Sequence, residues 1–155
     1  MSKYEKTGIL SKEDITIPNQ NYLKKGIAII ECIQHIPCNP CVESCPFNAI
    51  SMPDINELPV VDFDRCVGCG KCINICPGLA IFLVKLKDNK ALISLPYEFI
   101  PIPKVGDSVI ALDRAGINRG EAQVKKVVKR GKTSVITVEV DDSLAMEIRN
   151  IRAEA

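Results

Sequence analysis

Cysteine spacing constrains this chain more than any other feature of the sequence. Residues 66–77 follow the pattern C-x2-C-x2-C-x3-C-P. An upstream segment carries a second set with a longer first gap, C-x5-C-x2-C-x3-C-P, which begins at Cys32 and ends at Pro46. All eight cysteines of the 155 residues therefore belong to one of two similar sets.

The two sets are copies of one unit. Three cysteines of each set correspond at one constant offset: Cys38 with Cys69, Cys41 with Cys72, and Cys45 with Cys76. The match continues through the phrases Cys-Pro-Phe-Asn-Ala-Ile and Cys-Pro-Gly-Leu-Ala-Ile, which end at Ile50 and Ile81. A unit found twice is too few for a solenoid, so the repeat predicts a pseudo-twofold domain closed on itself.

The spacing favours iron-sulfur cubes over structural zinc. Thiolate is a soft anionic ligand that suits iron-sulfur clusters, and three cysteines in one tight loop can hold three corners of a cube. The fourth cysteine, displaced and followed by proline, points away and serves a different cluster. Gly68 and Gly70 keep the loop backbone free of side chains. Zinc sites instead pair two separated two-cysteine knuckles, so we expect two 4Fe-4S clusters.

The cysteines also predict the compartment. The N-terminus lacks a continuous apolar stretch of signal-peptide length, and no apolar run is long enough to cross a bilayer. Thiols stay reduced in the cytosol, where dense cysteine spacing usually means metal rather than disulfides. The sequence therefore predicts a cytoplasmic protein that does not contact a membrane.

Charge gives no reason to expect a nucleic-acid partner. The 20 basic and 19 acidic residues leave a formal charge of +1. The densest basic run comprises Lys125, Lys126, Lys129, Arg130 and Lys132. We place it on an edge hairpin, where charged side chains face solvent and discourage strand pairing. Aromatic residues do not interleave with it, so the stacking platform of nucleic-acid sites is missing.

Composition changes after the cysteine-rich region and predicts two domains of an α+β protein. Residues 96–155 contain no cysteine, and Pro96, Pro101 and Pro103 mark the boundary. We expect an extended N-terminal arm over residues 1–26, a two-cluster domain over 27–95 and a small β-rich domain over 96–155.

The last sixty residues read as a small β-barrel with a closing helix. Strands are predicted over residues 108–113, 121–129 and 133–140. In the third strand Ile136, Val138 and Val140 alternate with other residues and should form its buried face. Asp141 and its neighbours offer N-cap side chains for a helix over residues 144–151.

Residues from about 27 to 85 resemble the bacterial-type two-cluster ferredoxin domain. The resemblance rests on both C-x3-C-P ends, the glycines between ligands and the Ala-Ile pairs after each proline. It implies crossed ligation, in which each cluster takes three cysteines from one set and the fourth from the other. Cluster one would be held by Cys32, Cys38, Cys41 and Cys76, and cluster two by Cys45, Cys66, Cys69 and Cys72.

The first ligand of cluster one has an alternative candidate. His35 lies in the x2 register before Cys38, so histidine could replace cysteine there, and it is the only histidine in the chain. Imidazole ligation of iron would raise the reduction potential. Against this, Cys32 would then be a stray thiol, and a longer loop is easily tolerated. We favour Cys32, and His35 stays open as the alternative.

A second resemblance suggests a partner. The phrase from Glu31 to Cys41, with the β-rich part behind it, is similar to the small ferredoxin-type subunits of FAD-dependent amino-acid or amine dehydrogenases of the proline or hydroxyproline type. This resemblance implies a flavoprotein dehydrogenase partner and a hetero-oligomer.

No catalytic constellation is present in the sequence. It contains no phosphate-binding glycine loop, and one histidine cannot assemble a triad. With all cysteines used as ligands, we expect a non-enzymatic subunit that relays single electrons. The alternatives are a free ferredoxin, which near-neutral charge disfavours because such carriers are commonly acidic, and a non-redox binding module with structural clusters.

Overall fold

Residues 3–153 are described by a computed structural model as a mixed α+β fold in which sheet predominates. Its short helices are α1 (Lys3–Thr7), α2 (Gln20–Lys25), α3 (Pro40–Ser44) and α4 (Lys71–Ile75). Its strands are β1 (Ile27–Ile30), β2 (Ile50–Ser51), β3 (Val60–Val61), β4 (Ile81–Lys87), β5 (Lys90–Tyr97), β6 (Ser108–Asp113), β7 (Asn118–Arg130), β8 (Thr133–Asp141) and β9 (Ile148–Arg152). The α+β prediction is confirmed. Within the described range, no helix is long and apolar enough to span a bilayer.

The segment before β1 contains helical turns where the sequence predicted an extended arm. α2 begins after Asn19, whose side chain accepts hydrogen bonds from the backbone N–H groups of Asn21 and Tyr22 at 3.0 and 3.3 Å. This N-cap satisfies two donors that a helix start leaves without partners. The extended description is therefore wrong for this segment, apart from residues 1–2, which lie outside the described residues.

One antiparallel sheet organises the chain. Its strand order is β1-β4-β5-β8-β7-β6-β9, and β2 and β3 form a separate two-stranded ladder. A turn at Asp88 and Asn89 joins β4 to β5, and both residues adopt the left-handed conformation, with φ of 51° and 63°. Such a turn matches the natural twist of a two-residue hairpin.

The sheet continues across the predicted domain boundary. β5 pairs with β8 along its whole length, from Lys90 opposite Asp141 to Tyr97 opposite Ser134. The predicted inward face of β8 is confirmed, since Ile136, Val138 and Val140 are buried. The division after residue 95 stays a prediction, and a shared sheet and core cross it.

The expected C-terminal barrel does not close among the described strands. β9 pairs with β6 and comes near β5, but no ladder joins β9 to β5. The closing ladder that a barrel requires is therefore absent among the described strands. The strands form an open, continuous sheet instead.

A further expectation about this region is wrong. The closing helix predicted over residues 144–151 is replaced by a 3-10 turn at Asp142–Leu144 and by β9. Ile148 and Ile151 are β-branched, pair with the open edge of β6 as part of β9, and are buried there.

The basic run is exposed and lies on the β7–β8 hairpin, as expected. β6 pairs with β7 only over residues 118–123, so no described strand pairs with the outer side of β7 where the run lies.

We expect Leu95→Ala to destabilise the whole protein. Leu95 is fully buried in β5, where the two halves of the sheet meet. The substitution should lower the free energy of unfolding by about 2–5 kcal/mol, because it leaves a cavity. Val105→Ala is the control, since Val105 is 64% exposed, and it should change stability by less than about 0.5 kcal/mol. Anaerobic urea denaturation followed by circular dichroism measures both, and equal losses would contradict the shared core.

Candidate metal centres

Each cysteine-rich loop contains a short helix with the same layout. α3 carries Cys41 and α4 carries Cys72, and both side chains are buried. Each helix ends at the next cysteine, which is extended, with φ and ψ of −80° and 111° at Cys45 and −70° and 114° at Cys76. The backbone therefore repeats as the sequence does. The extended geometry takes Cys45 and Cys76 out of their helices, as expected of ligands that leave their own set.

The turns after the helices also correspond. Asn48 and Leu79 occupy equivalent positions and are both left-handed, with φ of 53° and 52°. That conformation costs a residue such as leucine about 1–2 kcal/mol. The turns deliver Ile50 and Ile81 to the core, where both are buried. The pseudo-twofold repeat predicted from the sequence is thus present in the backbone.

Three members of one group of four thiols line the larger cavity. Burial raises the pKa of the Cys41 thiol, and the negative charges of Cys76, Cys38 and Cys32 raise it further. Cys32, Cys38 and Cys76 line a cavity of about 500 Å³. The structure therefore brings together the four residues that the resemblance assigned to cluster one, including Cys76 from the distant loop.

The other four thiols form a second, tighter group. Burial raises the pKa of Cys72 to about 12, with added contributions from Cys66, Cys69 and Cys45. All four line a cavity of about 20 Å³, and Cys69 is the exposed member. Ligation of metal requires loss of the thiol proton, so metal binding is what would bring Cys72 into the thiolate form at neutral pH.

The donor chemistry fits a pair of iron-sulfur cubes. All eight cysteines are free, and each group offers four sulfur ligands, the number a cube requires. No three His, Cys, Asp or Glu side chains within residues 3–153 converge closely enough to hold a single metal ion. The four cysteine sulfurs of a cube each bind a different iron, so they lie farther apart than the ligands of one ion, and this finding does not bear on a cluster.

Backbone N–H groups already point at two of the sulfurs. Ala28 N–H donates to Cys66 Sγ at 3.5 Å, and Ala49 N–H donates to Cys45 Sγ at 3.4 Å. Both acceptors belong to the second group. Hydrogen bonds to the sulfurs are one of the ways in which a protein tunes a cluster's reduction potential.

His35 lines neither of the two cavities that the cysteines line. Its side chain is 60% exposed, and its Nδ1 is 3.7 Å from Glu57 Oε2. Cys32 and Cys38, which flank His35 in the sequence, both line the larger cavity. This placement supports Cys32 as the first ligand, which stays a prediction.

A buried charge cluster adjoins the larger cavity, and sequence reasoning missed it. The carboxylate of Glu31, the residue before Cys32, is 5% exposed and pairs with two arginines. Arg114 forms a bidentate ion pair with Glu31, with N–O distances of 2.7 and 2.9 Å. Arg149 donates from Nε to Oε2 of the same carboxylate. Burial would raise the pKa of Glu31, but these two arginines outweigh that effect and hold the pKa below its usual range.

The arginines are themselves fixed by other contacts. Arg149 donates to the carbonyl oxygens of Ala145 and Ile148, and its guanidinium lies 5.3 Å from the centre of the Phe82 ring. Arg114 donates to the carbonyl oxygen of Met146 at 2.6 Å. Glu31 is separated from its partners by 83 and 118 residues, so no local spacing could have revealed the cluster. The one signal in the sequence was a charged residue, Glu31, directly after the apolar run of β1.

The 4Fe-4S dicluster domain family matches residues 31–80 of the chain, the same segment that carries both sulfur groups. Residues 31–80 are a two-cluster ferredoxin-type domain. The prediction of two 4Fe-4S clusters is confirmed, and with it the choice of iron-sulfur clusters over zinc.

Curated relatives of this ferredoxin-type domain agree with the family. The chain is 40% identical to the ferredoxin-type protein NapF of Haemophilus influenzae, over 37% of this chain and 35% of that protein. It is 33% identical to the polyferredoxin-like subunit of the aliphatic sulfonate oxidoreductase of Pyrococcus furiosus, over 48% of this chain and 46% of that subunit. It is 39% identical to a ferredoxin of Methanocaldococcus jannaschii, over 39% of each chain. The chain thus spans less than half the length of these relatives, and no solved structure matches it significantly.

Proposed function

We propose that this chain is the iron-sulfur electron-transfer subunit of a cytoplasmic oxidoreductase complex whose partner is a flavin-dependent dehydrogenase. The separation of eight cysteines into two neighbouring groups of four is the observation that supports an electron relay most directly. A bound 4Fe-4S cluster supplies one-electron chemistry. Two such sites suit a relay that divides the two electrons of a reduced flavin into single steps.

The proposed ligands are those of the crossed arrangement. Cluster one takes Cys32, Cys38, Cys41 and Cys76, and cluster two takes Cys45, Cys66, Cys69 and Cys72. Support comes from the two cavities, each of which is lined by members of one set alone. In this arrangement every cysteine is a ligand, so the chain keeps no reactive thiol for chemistry on a substrate.

Support for a subunit role comes from the relatives and from the sequence. One relative is itself a subunit of an oxidoreductase, and the phrase from Glu31 to Cys41 is similar to small subunits of flavin-dependent dehydrogenases. The strands after β5 in the chain, β6 to β9, add surface that is not needed to hold the clusters. Exposed apolar residues at its β5–β6 loop, Phe99, Ile100 and Val105, are consistent with such a surface.

Anaerobic size-exclusion chromatography of native extract tests the subunit role. We expect iron-sulfur absorption from this chain to elute well above 17.0 kDa, together with flavin that acid releases from a co-eluting subunit. Mass spectrometry of that peak identifies the partner. A cluster-bearing species that elutes alone at the monomer mass would contradict the proposal and favour a free ferredoxin. Complex formation without flavin would contradict the flavoprotein partner only.

A further inference from the structure

The larger cavity is bordered by a buried positive charge that the smaller cavity lacks. The side chains of Glu31, Arg114 and Arg149 line it and are 5%, 10% and 4% exposed. One carboxylate between two guanidinium groups leaves this cluster with one net positive charge. Its members are each at least nine-tenths buried, so water screens that charge less than it would screen a surface charge.

The other charges around the cavity cancel. Asp113 also lines it, and Arg119 neutralises its carboxylate at 2.8 Å. At the smaller cavity the one charged side chain on the wall is Lys71, which is exposed to solvent. An exposed charge is screened by water and salt, whereas a buried charge acts through a medium of lower dielectric constant.

Reduction makes a four-cysteine cluster more negative by one charge. The electron passes from the reductant, which is oxidised by one electron, and no bond is formed or broken. A buried positive charge at the wall stabilises the more negative state and so raises the reduction potential. The N–H groups that point at Cys45 and Cys66 favour the other cluster, but they are dipoles at 3.4–3.5 Å from sulfur rather than full charges.

We propose that Arg114 and Arg149 raise the reduction potential of cluster one, so that a single electron entering the domain resides there rather than on cluster two. The two arginines act on the cluster through space, and Glu31 limits their effect by cancelling one of their charges. This inference rests on the proposed ligand sets.

The test compares arginine variants that differ in charge. Fully loaded protein is titrated with dithionite at controlled potential, and EPR spectra follow the two clusters. The Cys69→Ser variant, altered at the exposed ligand of cluster two, shows which signal belongs to that cluster. Arg149→Gln should lower the reduced-to-oxidised ratio of cluster one roughly tenfold at a fixed potential, with a smaller change at cluster two. Arg149→Lys keeps the charge and should keep the ratio.

Two further variants separate charge from structural damage. Glu31→Gln removes a negative charge and should raise the cluster-one ratio, which general loosening of the site would not do. Arg152→Gln removes an exposed arginine from the same strand and should leave both clusters unchanged. If Arg149→Gln does not load, Arg114→Gln and Arg114→Lys provide the same comparison.

The outcomes distinguish this inference from the function on which it rests. Iron and sulfide content well below two clusters in the unaltered protein would overturn the ligand sets themselves. With both clusters present, equal shifts in the Gln and Lys variants, equal shifts at both clusters, or no shift would each overturn the role of the arginines.

Discussion

Cys32→Ala is expected to remove about half of the iron of the anaerobically reconstituted protein, or about four of its eight atoms. Cys32 lies on the wall of the larger cavity with two other members of its group. Its loss leaves cluster one with three thiolates and an open iron corner. Iron and acid-labile sulfide assays measure the effect, and EPR of the reduced protein should show that cluster two remains.

His35→Ala is the matched control for that variant. His35 is exposed and contacts Glu57, so its removal should leave the iron content unchanged. If His35→Ala loses half of the iron while Cys32→Ala keeps all of it, the first ligand is the histidine, and the cysteine assignment is wrong. The two substitutions lie in one loop, so a general disturbance of that loop would affect both alike.

Gly68→Ala is expected to disrupt the loop that carries the second group of cysteines. Gly68 is left-handed, with φ of 73°, and an added Cβ would lie 2.9 Å from the backbone carbonyl oxygen of Gly26. The left-handed conformation costs about 1–2 kcal/mol, and the clash should add about 1–3 kcal/mol. Because the obstacle is backbone at the start of β1, it cannot rotate away. Anaerobic thermal denaturation and the retention of cluster two measure the result.

Gly131→Ala isolates the contribution of the clash. Gly131 is also left-handed, with φ of 64°, but an added Cβ there meets nothing within 4 Å. It should lower stability by the conformational cost alone and should keep both clusters. Equal losses of stability in the two variants would show that the close approach of Gly68 to Gly26 is unimportant.

Local patterns in the sequence predicted the strands β6, β7 and β8 and the two repeated cysteine sets. β6 covers the predicted residues 108–113, and the alternation along β8 gave its buried face correctly. These features are local, because period-two burial and ligand spacing are visible within a few residues. The crossed grouping followed from resemblance to a duplicated family, and the positions of Cys45 and Cys76 after matching helices agree with it.

The errors came from interactions distant in sequence. The segment at Ile148 and Ile151 has a spacing that also suits a helix face, and only the free edge of β6 makes it a strand. The predicted barrel does not form because β9 pairs with β6 and not with β5, and local sequence does not determine that pairing. The pairing of Glu31 with Arg149 also has no local signature in the sequence.

The late position of Arg149 in the chain has a consequence for biosynthesis. A ribosome completes the N-terminal part of a protein first, so every cysteine emerges well before β9 does. Until the last strand joins the sheet, Glu31 lacks one of its two counter-charges. A nascent chain that acquires iron early therefore carries a cluster whose electrostatic surroundings are still incomplete, and the finished redox properties arise only after β9 has been synthesised and has joined the sheet.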